Sequence, residues 1–433
     1  MYHSVIGKRL VACVNRRDGT GYTVRQFFDE VYIPLFFGRP RLLQNINNSP
    51  FDQAITKQKK PHTTELIQEC LQIVHGKVRD LEPDASFFLG GPASGNVETT
   101  SGQVTSMRLP VSSDDVYASW LGAALGLTVQ GGLTLLIDSD DVLLTTYDGW
   151  PMYRQYLDQV PKLKPLQVNA WNGQWVAHAT GRNPGAMFDP IRKEDDSALE
   201  MQGWVQLLFA LSYHFRDSSV RQLLTYVYSL GKSNTTVGFV RLNLPEVRRP
   251  VDLYQQLFTV PEGMAHARFE ALYNTEKSFY AACQQTEIGL RAIKPRDIFG
   301  AEKGIPKTLT GDDAERALAF HTYEVWIIAM LNNKELSDHT EALAAALNEF
   351  VRRSERGTMG RTNMVKGLLE KRNRREFIEG LAELLSEDSS MCDVFESAVS
   401  DLLSLSTDSV TLYLTLLRFK YAAVQARRKE NSK

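Results

Sequence analysis

Apolar residues dominate VIGKRLVACVN near the start of the chain and predict a strand, closed by a turn at Asp18-Gly19-Thr20-Gly21. The rhythm then changes. Thr23 to Gln26 has capping-box spacing and opens an aromatic-rich helix, TVRQFFDEVYIPLFF. A basic loop follows over Gly38–Pro61, with Arg39, Arg41, Lys57, Lys59 and Lys60, before a second helical pattern over His62–Arg79. The glycine-rich stretch Gly90–Thr105 has no period, and a loop of that length points to binding or to disorder. Asp114 or Asp115 is placed to cap a helix running through Leu125. Strands are expected at Leu133–Ile137 and Val142–Thr146, joined as a hairpin through Asp138–Asp141.

Between Pro151 and Pro250 the two periods mix. Helices are expected at Tyr153–Val160, Leu199–Phe215 and Ser219–Ser229, and strands at Gln174–Ala179 and Val237–Leu242. After Pro250 strand signals stop. Asp252–Phe258 and Met264–Gln284 read as helices, and Ala292–Leu309 as a linker. The last stretch reads as Ala314–Leu331, a helix capped by Asp338 to Glu341, Arg361–Leu385, Ser390–Leu403 and Thr407–Ala423. Successive helices with short connections imply a bundle. The expected architecture is an α+β N-terminal region (1–250), a helical connector and linker (251–310), and an all-α C-terminal helical bundle (311–433).

Composition narrows the classes. At 433 residues, 43% hydrophobic and 23% charged, the chain is an ordinary globular protein of roughly two to four domains. Lys and Arg total 49 against 51 Asp and Glu, a net charge of −2, so any binding to a polyanion must rest on local patches. Cys13, Cys70, Cys283 and Cys392 lie far apart, which argues against a disulfide framework or a zinc site and fits reduced thiols in the cytoplasm. Lys8 and Arg9 interrupt what would be a signal segment. Val116–Ile137 carries no charge, yet its threonines and the Gly131-Gly132 pair break it into a helix and a buried strand rather than a membrane span.

Candidate chemistry is sparse. Asp138, Asp140 and Asp141 have the carboxylates of a Mg²⁺ site, but no lysine or further acid completes a nuclease pattern, and turn chemistry explains them equally. Gly231-Lys232-Ser233 copies the end of a P-loop, while Tyr226 stands where the essential first glycine belongs. Gly181 to Gly185, with Asn183 after an apparent strand, resembles the water-positioning loop of mismatch and uracil DNA glycosylases. The second motif of that family has no counterpart among the eight histidines. The alternative function this leaves open is a DNA glycosylase using Asn183. No cofactor or metal is called for.

Charge distribution is more informative. Arg352, Arg353, Arg356, Arg361, Lys366, Lys371, Arg372, Arg374 and Arg375 stand against three acids between Arg352 and Glu376, and eight acids without a base follow to Asp408. A basic tail begins at Arg418. Such segregation makes a cationic edge suited to phosphates, whereas a merely solvated face would mix the signs. Amide-bearing stretches supply groups able to read base edges: Asn45, Asn47 and Asn48; Ser94, Asn96 and Gln103; Asn169, Asn172 and Gln174, the last set beside Trp171 and Trp175.

Three stretches taken together carry a resemblance. FFDEVYIPLFF with RLLQNINNSPFDQA, GGPASGNVETTSGQVT with WLGAALGLTVQGGLTLLI, and YVYSLGKSNTTVGFVRLNLPEVR look like the large subunit of a type I CRISPR surveillance complex, Cascade. The helical C-terminal bundle is similar to the one ending such subunits. The resemblance implies a non-catalytic DNA-binding subunit of an RNA-guided complex. Its N-terminal domain would read a protospacer-adjacent motif on duplex DNA, and its bundle would border the displaced single strand. Its partners would be guide-RNA-bearing Cascade subunits and a helicase-nuclease recruited in trans. The amides above would then supply the reader, and Arg352–Arg375 the grip on displaced-strand phosphates.

Overall fold

The computed structural model describes residues 2–80, 88–89, 111–229, 236–258, 272–273, 278–285, 287–293, 295, 314–333, 335–353 and 358–431. The chain divides into two compact units, one formed by Met1–Pro245 with Lys277–Gly289 and the other by Glu246–Glu276 with Leu290–Lys433. The first is α+β and the second helical.

The N-terminal strand expectation fails. Tyr2–Asp18 is a helix, α1, burying His3, Ile6, Gly7, Leu10, Val11 and Val14. The buried positions recur at spacings of three and four, which is a helical period and not the alternation of a half-buried strand. A Cβ on Gly7 would lie 1.9 Å from the Ala118 carbonyl oxygen, so only glycine permits this close crossing.

Thr23 makes the expected capping box with Gln26 and opens α2 (Val24–Phe27). The chain continues through one π-helical stretch, Phe28–Tyr32, into α3 (Ile33–Phe36). A second π-helical stretch, Asp52–Lys57, precedes α4 (Thr64–Asp80). Phe27, Phe28, Tyr32, Phe36, Phe37 and Phe51 are all fully buried and pack with Trp120 and Trp150 as the aromatic heart of this unit. Its next helix, α5 (Ser113–Ala124), is capped by Ser112, with Asp115 as the reciprocal partner.

The long uncharged run of the sequence is α5 followed by β1 (Leu127–Val129) and β2 (Leu133–Ile137), turned by Gly131 and Gly132 at φ 94° and 76°. Among the described residues no helix is long and apolar enough to cross a membrane.

Val142–Thr146 is not a strand but lies in α6 (Asp140–Gln159), where Asp140 and Asp141 occupy the first turn, favourably placed against the helix dipole. Gln174–Ala179 is likewise helical, in α7 (Val168–Ala179). There Trp171 and Trp175, one turn apart, stack at 6.1 Å and donate to the carbonyls of Gly149 and Thr145. A small hairpin, β3 (Ile191–Arg192) and β4 (Asp195–Leu199), leads to α8 (Trp204–His214).

Ser219–Ser229, expected as helix, contains β5 (Gln222–Ser229). Leu223, Thr225 and Val227 are buried in alternation with more exposed neighbours, a period of two. It pairs with β6 (Thr236–Asn243), followed by α9 (Leu244–Leu257), the short α10 (Phe279–Cys283) and β7 (Glu287–Ile288). The sheet order is β1-β2-β5-β6-β7, antiparallel except for the parallel pair β6–β7.

The helical unit contains α11 (Ala314–Leu331), α12 (Glu335–Arg352), α13 (Thr358–Glu370), α14 (Arg374–Glu387), α15 (Cys392–Ser404) and α16 (Thr407–Asn431). Two details differ from expectation. Asp338 to Glu341 lies inside α12, whose start is held by Asn333 accepting the Glu335 N–H at 2.9 Å. Arg361–Leu385 is two helices, because Asn373 accepts the Glu376 N–H and starts a new one.

Candidate nucleic-acid interface

Of the two amide stretches among the described residues, the first reaches the surface. Gln44 is buried and accepts from the Tyr32 hydroxyl at 2.6 Å, anchoring the loop. Asn45 donates to Asn47, and Asn47 and Asn48 are exposed. Asn48 adopts φ 64°, a left-handed conformation that asparagine tolerates better than most residues. Its N–H donates to the buried Asp52 carboxylate, and its Oδ1 accepts from Lys57 at 2.7 Å. Beside it runs a cleft of about 270 Å³ lined by Asn48, Gln53, Gln58, Lys60, Glu69 and Lys77. A surface of amides and lysines around a fixed turn is equipped to donate to base edges or phosphates.

The third amide set is taken out of any reader by its own hydrogen bonds. Asn172, fully buried, donates to the carbonyls of Ala124 and Gly126 at 2.7 and 3.0 Å. Asn169 donates to Ala123 and Gly126, and Gln174 to Glu200. Carbonyls at the end of α5 have no partners within their own helix, and these amides satisfy them. The helix α7 turns Asn169 and Asn172 against the end of α5 and Gln174 toward the Glu200 carbonyl. Ser94, Asn96 and Gln103 lie outside the described residues, as do Arg356 and the Gly231-Lys232-Ser233 motif.

The cations of the helical unit separate into two groups. Arg353 bonds Glu349 at 2.7 Å and also Ser390. Arg361 donates to the Phe350 carbonyl, lies 4.5 Å over the Phe350 ring and faces Asp388 at 3.5 Å. Arg374 bonds the Leu405 carbonyl, and Arg375 pairs with Glu379 at 2.9 Å. Arg353, Arg361 and Arg374 join separate parts of the bundle, whereas the Arg375–Glu379 pair lies on the exposed face of α14. Arg352, Lys366 and Arg372 are exposed and Lys371 half-buried, and no carboxylate of the described residues pairs with them.

A further cation joins this second group. Arg418 on α16 donates to the carbonyls of Leu369 and Lys371, at 2.6 Å each, closing the C-terminal end of α13. Burial lowers its pKa, and the neighbouring Arg372 lowers it further. Two guanidinium groups therefore repel one another at the junction of α13, α14 and α16, a place where an anion would relieve the repulsion. From sequence Arg418 is simply the start of a basic tail. What gives it a role is its packing against residues nearly fifty positions away.

The rival chemistries fit less well. Asp138 and Asp140 are both bound by Arg9, and Asp140 also by Arg16 at 3.0 Å. Burial pushes the Asp140 carboxyl up, but hydrogen bonds from Arg9, Cys13 and Arg16 outweigh it and bring the pKa down to about 2. The pair serves as a tie between α1 and the start of α6. Asn183 follows a helix, α7, rather than the strand a glycosylase loop requires, and sits in an exposed turn whose carbonyl accepts the Ala186 N–H. Among the described residues no group of three His, Cys, Asp or Glu is placed to hold a metal ion. In comparisons with family models, characterised proteins and solved structures, no match to the chain was found.

Proposed function

We propose that this chain is a non-catalytic nucleic-acid-binding protein of the cytoplasm, acting as the DNA-binding large subunit of an RNA-guided interference complex. The observation that carries the binding part is the junction of α13, α14 and α16. There Arg372 crowds the half-buried Arg418, and neither they nor Lys366 are neutralised by a carboxylate of the described residues. Like charges held together in a folded protein are unfavourable unless a counter-charge arrives, and a phosphate backbone supplies one.

The exposed amides Asn47 and Asn48, beside their lysine-bearing cleft, are the part of the proposed motif reader that remains available to a duplex. The assignment to an interference complex rests on the sequence resemblance. It predicts association with guide-RNA-bearing subunits and with a helicase-nuclease acting in trans.

The test is fluorescence anisotropy of the full chain on a duplex and on a duplex with a displaced strand, across a salt series. Lys366→Glu with Arg372→Glu is expected to weaken both by tenfold or more. The slope of log affinity against log salt should flatten by about 0.9 for each duplex phosphate that is no longer neutralised. Unchanged affinity and slope would overturn the proposal. Strand cleavage or base release by the purified chain, abolished in Asn183→Ala, would overturn its non-catalytic part.

A further inference from the structure

Helix α4 presents two different faces. Ile67, Leu71, Val74, His75 and Val78 are buried in the core of the α+β unit. Leu66, Glu69, Cys70, Ile73 and Lys77 recur at helical spacing on the adjoining side and form one wall of the cleft of about 270 Å³. The opposite wall is the segment from Asn48 to Lys60. Ala54, Leu66 and Cys70 are buried and give the cleft an apolar floor, to which Ile73, 45% exposed, adds an open apolar side.

The backbone of the second wall is held in uncommon conformations. Asn48 and Lys59 lie at φ 64° and 53°, and the π-helical stretch Asp52–Lys57 runs between them. Left-handed backbone at a residue other than glycine is unfavourable and persists where the surrounding structure fixes it, which is common around ligand sites. Here the Lys60 N–H donates to the Ala54 carbonyl at 3.0 Å and folds the end of the segment back toward the floor. Short π-helical turns likewise gather at functional sites.

The polar groups of the rim are not consumed by the fold. Glu69 is exposed, and no cation of the described residues pairs with its carboxylate. The Gln58 amide and the Lys60 ammonium are exposed too and make no side-chain hydrogen bond among the described residues. Both Glu69 and Lys60 act on the Cys70 thiol at the floor: burial pushes its pKa up, Glu69 adds to the rise and Lys60 opposes it. A carboxylate and a cation therefore flank the same apolar patch.

That combination selects the occupant. A phosphate would be repelled by Glu69 and has no use for an apolar floor. A base has flat apolar faces and a polar edge, and it enters a concave site only when it is out of the duplex stack. The carboxylate offers two acceptors and no donor. Among the bases of DNA, guanine alone carries two adjacent donors on one edge, N1–H and the N2 amine. Adenine and cytosine each set one amine beside an acceptor nitrogen, and thymine has a single N–H between two carbonyls. The guanine acceptors O6 and N7 suit an ammonium or an amide donor.

We propose that this cleft is a pocket for an unpaired guanine of a nucleic-acid strand, with Glu69 accepting from N1–H and the N2 amine, and Lys60 and Gln58 donating to the acceptor edge. The inference rests on the nucleic-acid reading above and names the base that its cleft takes.

Three labelled oligothymidines of equal length separate the outcomes. One is plain, one carries a single central guanosine, and one carries inosine there, which lacks the N2 amine. The full chain is expected to bind the guanosine oligomer about tenfold more tightly than the plain one, as one good bidentate contact does, with inosine in between. Glu69→Gln should bring the guanosine and plain oligomers to equal affinity without weakening the plain one. Glu69 is exposed, so the variant should melt near the temperature of the parent, which the same samples check. Lys366→Glu with Arg372→Glu should weaken all three probes alike.

If the parent shows no preference for guanosine while the Lys366 and Arg372 variant loses binding, the pocket is wrong and the nucleic-acid reading survives. If the chain binds no probe, both fall. A guanosine preference that persists in Glu69→Gln places the reading elsewhere and refutes the pocket. If guanosine monophosphate binds as tightly as the guanosine oligomer, and Glu69→Gln abolishes it, the pocket serves a free nucleotide and the strand assignment is refuted.

Discussion

Replacing Gly122 by alanine probes the crossing on which the α+β unit is built. An ideal Cβ at Gly122 lies 1.9 Å from the His3 carbonyl oxygen and 2.8 Å from the His3 Cα, both backbone atoms that cannot turn aside. Ordinary contact begins near 3.4 Å, so α1 and α5 must part by about 1.5 Å locally. The neighbours Ile6, Leu10, Trp120 and Leu121 are essentially without exposure. Gaps of 0.5–1 Å already forfeit about a quarter to a half of each dispersion contact. Overpacking of this kind costs about 1–3 kcal/mol and occasionally more. Alanine returns about 1 kcal/mol through its better helix propensity. Two immovable backbone clashes put this site at the upper end of the overpacking range, about 3 kcal/mol, so the net expectation is a loss of about 2 kcal/mol.

Gly76→Ala is the matched control. It sits inside α4 of the same unit with nothing within 4 Å of its Cβ position, so only the propensity term operates and the variant should gain about 0.5–1 kcal/mol. Urea unfolding followed by tryptophan fluorescence reads mainly this unit, which holds five of the six tryptophans, Trp326 being the one in the helical unit. The two variants should move the midpoint in opposite directions. A Gly122→Ala protein as stable as the parent, beside a stabilised Gly76→Ala, would refute the close crossing and reopen the strand reading of residues 5–15.

Asn172→Ala should cost about 1–3 kcal/mol by leaving the Ala124 carbonyl without its amide donor and the Gly126 carbonyl with Asn169 alone, with oligonucleotide affinity unchanged in the folded protein. Loss of affinity without loss of stability would restore Asn172 as a reader. Asp140 makes the α+β unit acid-sensitive. Its folded pKa of about 2 lies below the ordinary 3.8, so its contribution is present above pH 4 and lost as the pH falls toward 2. Urea midpoints at pH 5 and pH 3 should therefore converge in Arg9→Met relative to the parent, and an equal drop in both proteins would show that the tie contributes nothing. Arg361→Ala should destabilise the helical unit by about 1–2 kcal/mol through removal of its carbonyl bond and its packing on the ring, yet leave DNA affinity within about twofold. A large affinity loss there would place Arg361 in the interface instead of the bundle.

What the sequence by itself determined is local. The Thr23 capping box, the helix over residues 64–80, the glycine turn before β2 and the helical character of the C-terminal part depend on neighbours within a few positions, and each was legible. The misread elements share a cause. VIGKRLVACVN, Val142–Thr146 and Gln174–Ala179 are short, largely apolar stretches that periodicity alone does not assign to helix or strand. The choice fell to packing: Gly7 against Ala118, Asp140 against Arg9, and Trp175 against the Thr145 carbonyl. The candidate site divides the same way. Exposed asparagines and a run of cations could be seen in the chain. Their sorting into bundle ties and unneutralised charge could not, nor could the cleft between α4 and the segment from Asn48 to Lys60. Arg418 bonds carbonyls 49 and 47 positions away, and Asn172 carbonyls 48 and 46 away. Such partners meet only when distant segments pack, and only the tertiary structure decides whether a polar group is spent inside the fold or left for a ligand.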